Sequence, residues 1–186
     1  GSWATTEEII AVAQAAARYR GFYASHIPGE GATLLDAVRE AIRVGREGSL
    51  PVQVSHIKAA GRPNWGKVAE ALALIDEARA EGLDVMGDVY PYTASSTSLR
   101  TALPDWALEG GVSAMLKRLA DPGTRAEIRA EMENPDNTQS LTSRMGWEHV
   151  MISWCPKRKD AEGHRVSEIA AVRRLDPIDA VFELLR

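Results

Sequence analysis

The sequence contains one cysteine, Cys155, in 186 residues. An internal disulfide is therefore excluded, and a reducing compartment, the cytoplasm, is the expected location. Basic residues are not in excess either: 22 Lys and Arg stand against 26 Asp and Glu, for a formal charge of -4. A chain so balanced carries no electrostatic footprint for nucleic acid. No apolar run approaches the roughly 20 residues that a membrane-spanning helix needs, so no membrane partner is expected. A phosphate-cradling glycine loop is also lacking, because Gly61-Arg62-Pro63-Asn64-Trp65-Gly66-Lys67 has neither the Walker spacing nor a Ser or Thr after the lysine. No secretory signal opens the chain, and Gly1-Ser2 reads as a remnant of tag removal, with the natural start upstream. What remains is ordinary: 45% hydrophobic and 26% charged residues, in a length that is long for one domain and short for two.

Residues 5–92 repeat one rhythm. Thr5 and Glu8 have capping-box spacing, and Ile9, Ile10, Ala13, Ala16 and Ala17 follow at helical period until Gly21. Phe22 to Ala24 predicts a short strand running into His26. Thr33 and Asp36 restart a helix with Leu34, Val38 and Ile42 on one face, and Gly48 stops it. Val52 to Ser55 predicts a second strand ending at His56. Val68, Leu72 and Ile75 mark a third helix closed by Gly82, and Leu83 to Val89 a third strand ending at Asp88 and Tyr90. Helix and strand alternating in steps of roughly 30 residues is the pattern of parallel βαβ units. A doubly wound sheet and a piece of a (β/α)8 barrel both fit it, and both bind ligands at the C-terminal strand ends.

After Tyr92 the rhythm changes. A polar loop spans Ser95 to Ser98, and Pro104-Asp105-Trp106 opens a different region. Residues 112–133 read as two helices broken at Asp121-Pro122-Gly123, residues 133–137 as a linker, and His149 to Trp154 as a strand. A charged loop, Lys157 to Gly163, precedes two closing helices, 165–174 and 177–185, the second capped by Asp176 with Pro177 at its first position. This is α+β organisation, without another repeat.

Ser25-His26-Ile27 recurs as Ser55-His56-Ile57, one βα unit apart. A strand-end histidine can be a neutral imidazole satisfied within its loop. Two at successive parallel ends can instead share a metal ion, since adjacent strands lie about 4.8 Å apart and imidazole binds zinc at about 2.0–2.1 Å. Lys58 reads either as a solvated amine or, with the Tyr90 hydroxyl, as part of a site for an anion such as a carboxylate. Asp88 reads as a loop cap or as part of that site, and Tyr92 as packing. His149, His164 and Cys155 match no ligand template.

Ser25-His26-Ile27 with Glu30, VQVSHIKAAGRPNWGK and DVYPYTASSTSL leading to LPDWALEGG together resemble the N-acyl-D-amino-acid deacylases (D-aminoacylases) of the amidohydrolase superfamily. The likeness runs along nearly the whole chain, since GHRVSEIAAVRRLDPIDAVFELL resembles the end of that family's insertion. It implies an α/β fold: about three βα units of a zinc-dependent (β/α)8 TIM barrel over residues 3–103, and an inserted α+β subdomain over 104–186. By the same resemblance, His26 and His56 bind zinc, while Lys58 and Tyr90 hold the carboxylate or carbonyl of a small N-acyl-D-amino acid whose amide is hydrolysed.

The departures also carry expectations. The family's His-x-His segment and cysteine ligand would lie upstream of Gly1, and its catalytic aspartate beyond Arg186. Neither role passes to Cys155 or Asp88. Where the family has His-Met-Arg-x-Glu, this chain reads His26-Ile27-Pro28-Gly29-Glu30, so any contact made by that arginine is lost and the loop is stiffer. Negligible turnover is expected of these 186 residues, together with self-association through open sheet edges. Two other readings stay open: a non-catalytic oligomerisation module, and a dipeptidase- or hydantoinase-like amidohydrolase.

Overall fold

The computed structural model describes residues 4–134 and 146–186, divided between two compact units, 1–93 and 94–186. The linker expected at 133–137 therefore falls mostly outside the described residues.

In the first unit, α1 (Thr6–Ala17) starts at the expected capping box: the Glu8 amide donates to Thr5 Oγ1, and the Glu8 carboxylate accepts from the Thr5 amide at 2.8 Å. It ends where Arg20 turns left-handed at φ 57° and the Gly21 amide returns to the Ala16 carbonyl. Three parallel strands follow, β1 (Tyr23–Ser25), β2 (Val52–Val54) and β3 (Val85–Gly87), in the order β1-β2-β3. Helices α2 (Leu34–Gly48) and α3 (Lys67–Ala80) connect them. The third strand is shorter than the expected run from Leu83 to Val89. Leu83 still closes α3, its amide donating to Ala78 O, and beyond Gly87 the pairing continues only through Asp88. Thr33 precedes α2 as expected but its side chain makes no capping bond; its hydroxyl fills the space beside Gly29.

Alternation along the strands decides which face is covered. Val52 and Val54 of β2 and Val85 of β3 are fully buried against Leu34, Val38 and Ala41 of α2 and Ile75 of α3. Each such side chain contributes about 1.5–3 kcal/mol relative to exposure. Gly45 is what lets α2 approach β2, because a Cβ there would collide with Val52. The row on the other face, Ala24-Gln53-Met86, is in register across all three strands, with Met86 54% exposed. Helix α1 packs on α2 through Ile10, Ala13 and Val44.

The second unit is helical: α4 (Asp105–Leu108), α5 (Gly111–Ala120), α6 (Pro122–Glu133), α7 (Val166–Arg173) and α8 (Pro177–Leu185). Met115, Leu119, Ile128, Met132, Val181 and Phe182 form its core with Trp147. The break at residues 121–123 lies where expected, and Asp121 caps α6 by accepting the Thr124 amide at 2.8 Å. Asp176 caps α8 through the Ile178 amide at 2.9 Å. Arg129 ties both helices together, reaching Glu133, Asp176 and Asp179 at 3.0, 2.9 and 2.7 Å. The strand expected over His149 to Trp154 is a correction. Trp147–His149 is a 3₁₀ turn, and only Met151 bridges, antiparallel to Arg165. Trp154 is 72% exposed and Pro156 follows shortly, so the pairing with the segment around His164 ends there.

Candidate metal centre

The C-terminal ends of β1, β2 and β3 deliver His26, His56 and Asp88 to one place. His26 follows β1 directly. His56 follows β2 after Ser55, whose amide donates to the Ser25 carbonyl at 2.9 Å and keeps the two strand ends level. The imidazoles stack with ring centres 4.4 Å apart, and His26 Nδ1 meets His56 Nε2 in direct contact. Two ring nitrogens therefore point at one spot.

His56 has a left-handed backbone, φ 42°, a conformation that costs a bulky L-residue about 1–2 kcal/mol. Residue 88 holds it there. Asp88 Oδ1 accepts the His56 amide at 2.6 Å, the Asp88 carbonyl accepts the Ile57 amide at 2.9 Å, and the Asp88 amide donates to Val54 O at 3.1 Å. Gln53, from the uncovered sheet face, donates to Asp88 Oδ2 at 2.6 Å. The His56 amide first, and Gln53 second, hold the Asp88 carboxyl below the usual carboxylate range. Of the two readings of Asp88, the loop cap describes its contacts.

Lys58 and Tyr90 stand beside the histidines. Lys58 Nζ lies 2.6 Å from His56 Nδ1, 2.6 Å from Glu30 Oε1 and 5.5 Å from the centre of the Tyr90 ring. Tyr90 lies 6.3 Å from His56, ring to ring. Glu30 Oε1 is also 3.1 Å from His56 Nδ1. Its backbone is pinned, since the Ala60 amide donates to the Glu30 carbonyl at 2.6 Å. All four residues singled out from the sequence thus share one neighbourhood.

Glu30 was read only as a residue of the motif, with no role, and Gln53 and the clamping contacts of Asp88 were not read at all. Glu30 sits four residues beyond His26 and Lys58 two beyond His56, and nothing in either spacing says that the two side chains meet. Tyr92 is 76% exposed, not packed as expected. Among the described residues no third His, Cys, Asp or Glu joins the histidine pair in a metal-sized group, and His149, His164 and Cys155 form none either. His149 lies 3.8 Å from Glu148 and His164 3.8 Å from Glu168.

No protein-family model matches the chain. The D-aminoacylase of Alcaligenes xylosoxydans xylosoxydans is 33% identical over 181 residues, 97% of this chain and 29% of the relative. The N-acyl-D-glutamate deacylase of the same organism is 43% identical over 99 residues, 53% of this chain and 20% of its own. Among solved structures, N-acyl-D-glutamate deacylase from Bordetella bronchiseptica, complexed with zinc and a phosphonate mimic of the tetrahedral intermediate, superposes with a TM-score of 0.70 at 27% identity. It covers 99% of this chain and 30% of that one. A D-aminoacylase crystal structure, described as defining a novel subset of amidohydrolases, gives 0.66 at 33% identity, covering 98% and 30%. The chain spans less than a third of the length of each of these relatives. Its small parallel sheet and flanking helices match those structures, and sequence and fold agree that this chain is homologous to a segment of the N-acyl-D-amino-acid deacylases, which are amidohydrolases.

Proposed function

We propose that this chain is the middle segment of a zinc-dependent hydrolase that cleaves the amide of N-acyl-D-amino acids, with His26 and His56 as two ligands of the metal. The observation that carries this reading is the meeting of His26 Nδ1 and His56 Nε2 at adjacent ends of parallel strands. Two imidazole nitrogens are a donor set that suits zinc and fill two of its usual four positions. The zinc in the Bordetella bronchiseptica relative supports the choice of ion. When bound, zinc supplies a Lewis acid that polarises the amide carbonyl.

The rest belongs to the protein's own side chains. Lys58 and Tyr90 orient the substrate, the ammonium meeting its carboxylate and the phenol donating a hydrogen bond. Asp88 is a clamp on His56, because both carboxylate oxygens already accept hydrogen bonds; proton transfer falls to another aspartate. Residues 3–103 are read as about three units of a (β/α)8 barrel and 104–186 as an inserted α+β subdomain. The one-sided covering of the sheet supports the barrel. In a barrel the row Ala24-Gln53-Met86 faces the interior, whereas a doubly wound sheet carries helices on both faces.

Zinc titration of the chain, beside His26→Ala and His56→Ala, tests the reading. One zinc bound by the wild type and lost in either variant is expected. Equal, weak binding by all three sinks it.

A further inference from the structure

We propose that Glu30 sets the tautomer of His56, and with it the ability of that histidine to bind a metal ion, in competition with Lys58. This rests on the metal reading of His26 and His56. A neutral imidazole carries a single N–H, and the nitrogen bearing it cannot ligate. His56 Nε2 is the atom turned toward His26. For Nε2 to offer a lone pair, the proton must sit on Nδ1 and be accepted by something there.

Two groups reach Nδ1, and they ask for opposite tautomers. Lys58 Nζ, at 2.6 Å, can only donate. Its bond to Nδ1 demands a lone pair at that atom and drives the proton to Nε2, where it blocks the metal. Glu30 Oε1, at 3.1 Å, can only accept when ionised. It favours a proton held on Nδ1, which leaves the lone pair of Nε2 free. The same oxygen also binds the Lys58 ammonium at 2.6 Å, which draws the competing donor toward itself. One carboxylate oxygen thus does both jobs.

The placement of Glu30 is built, not incidental. The bond from the Ala60 amide to the Glu30 carbonyl, at 2.6 Å, ties the loop after β1 to the loop after β2. Glu30 and His56 side chains are each 24% exposed and Lys58 29%, so solvent screening of the three groups is reduced. Among the described residues, Glu30 brings a carboxylate oxygen to 3.1 Å from His56 Nδ1. It is a positioning residue, acting through His56 and Lys58.

The test uses the 186-residue chain with zinc alone as the probe. Four variants are compared with wild type: Glu30→Ala, Glu30→Gln, Lys58→Met and the double variant Glu30→Ala/Lys58→Met. Loss of an outer-shell partner typically weakens metal binding about 10–100-fold, and Glu30→Ala is expected to raise the zinc Kd by that much. Glu30→Gln, which keeps an acceptor oxygen, should lose less. In the double variant the competing donor is gone as well, so a good part of the affinity should return. Imidazole nitrogen chemical shifts of the metal-free chain supply a second readout. The His56 proton should sit on Nδ1 in wild type and move to Nε2 in Glu30→Ala. A role confined to packing would leave the double variant no better than Glu30→Ala and the shifts unmoved, and either result overturns the proposal. Should wild type bind no zinc, the metal reading fails by itself, while the nitrogen shifts still decide whether Glu30 controls the tautomer.

Discussion

His56 is bent left-handed at φ 42°, in a chain whose other turns at positive φ fall mostly on glycine. Strain of this kind persists only where neighbours over-determine it, and here the neighbour is Asp88. Asp88→Ala removes the acceptor of the His56 amide and should weaken zinc binding about tenfold or more, in line with other supporting contacts at metal sites. Asp88→Asn keeps an acceptor and should change it far less. Calorimetric titration of the two variants checks this, and equal affinities would remove Asp88 from the site's support. In the second unit the decisive residue is Phe182, with no exposed surface and Arg125 over its ring at 5.0 Å. Phe182→Ala should cost about 3–5 kcal/mol, read from the urea midpoint of a probe in residues 94–186. The histidines were legible before folding because they end two apolar runs at equal offsets. The contacts of Glu30, a residue of the same motif, were not, because its partners lie on the next unit and no local spacing records the meeting of two loops.

Helix caps were the most legible elements, since a cap joins residues two or three apart. Thr5 with Glu8 and Asp176 cap where their spacing placed them, and Asp121, read from the sequence only as part of a helix break, caps α6. Thr33 shows the limit: the position is right, but the hydroxyl is used by the packing beside Gly29. For α6 the cap has a pH consequence. The Thr124 amide first, then its hydroxyl, hold the Asp121 carboxyl below the usual range. A depressed folded value means that the cap's contribution is complete above the unfolded value, about 3.9. It disappears as pH falls through the lower folded value. Helicity of the second unit should therefore fall in that acidic window, and Asp121→Asn should remove the pH dependence belonging to α6 while retaining a capping oxygen. Circular dichroism along an acid titration of the two proteins gives the comparison. The short antiparallel bridge at Met151 was misread as a full strand, because alternation over six residues does not reveal whether a partner of equal length exists.

In the first unit, β1 and β3 each pair on one side only, with β2, among the described residues. Phe22 and Met86 beside them are 65% and 54% exposed. Next to β1, a cavity of about 330 Å³ lined by Ile9, Val12, Phe22 and Leu50 adds apolar surface. Open parallel edges of this sort invite pairing between copies, so concentration-dependent association is the expected behaviour. Tyr23 donates to Pro51 O and Ser25 accepts from Ser55, so alternation turns the Ala24 amide to the open edge. Ala24→Pro removes that donor without touching the β1–β2 ladder and should shift the population toward monomer in sedimentation velocity. An unchanged distribution would mean that the edge is not the contact.

Composition, strand–helix rhythm and the repeated Ser-His-Ile were enough to imply parallel βα units with two histidines at neighbouring strand ends. Each of those signals lies along the chain itself and needs no contact between distant residues. Tertiary structure alone decided which sheet face is covered, that Asp88 clamps a left-handed His56, and that Glu30 meets both Lys58 and the His56 ring. Those contacts join residues about 30 positions apart, 30 and 58 or 56 and 88, and they exist only once α2 and α3 have folded back on the strands and brought successive loops side by side.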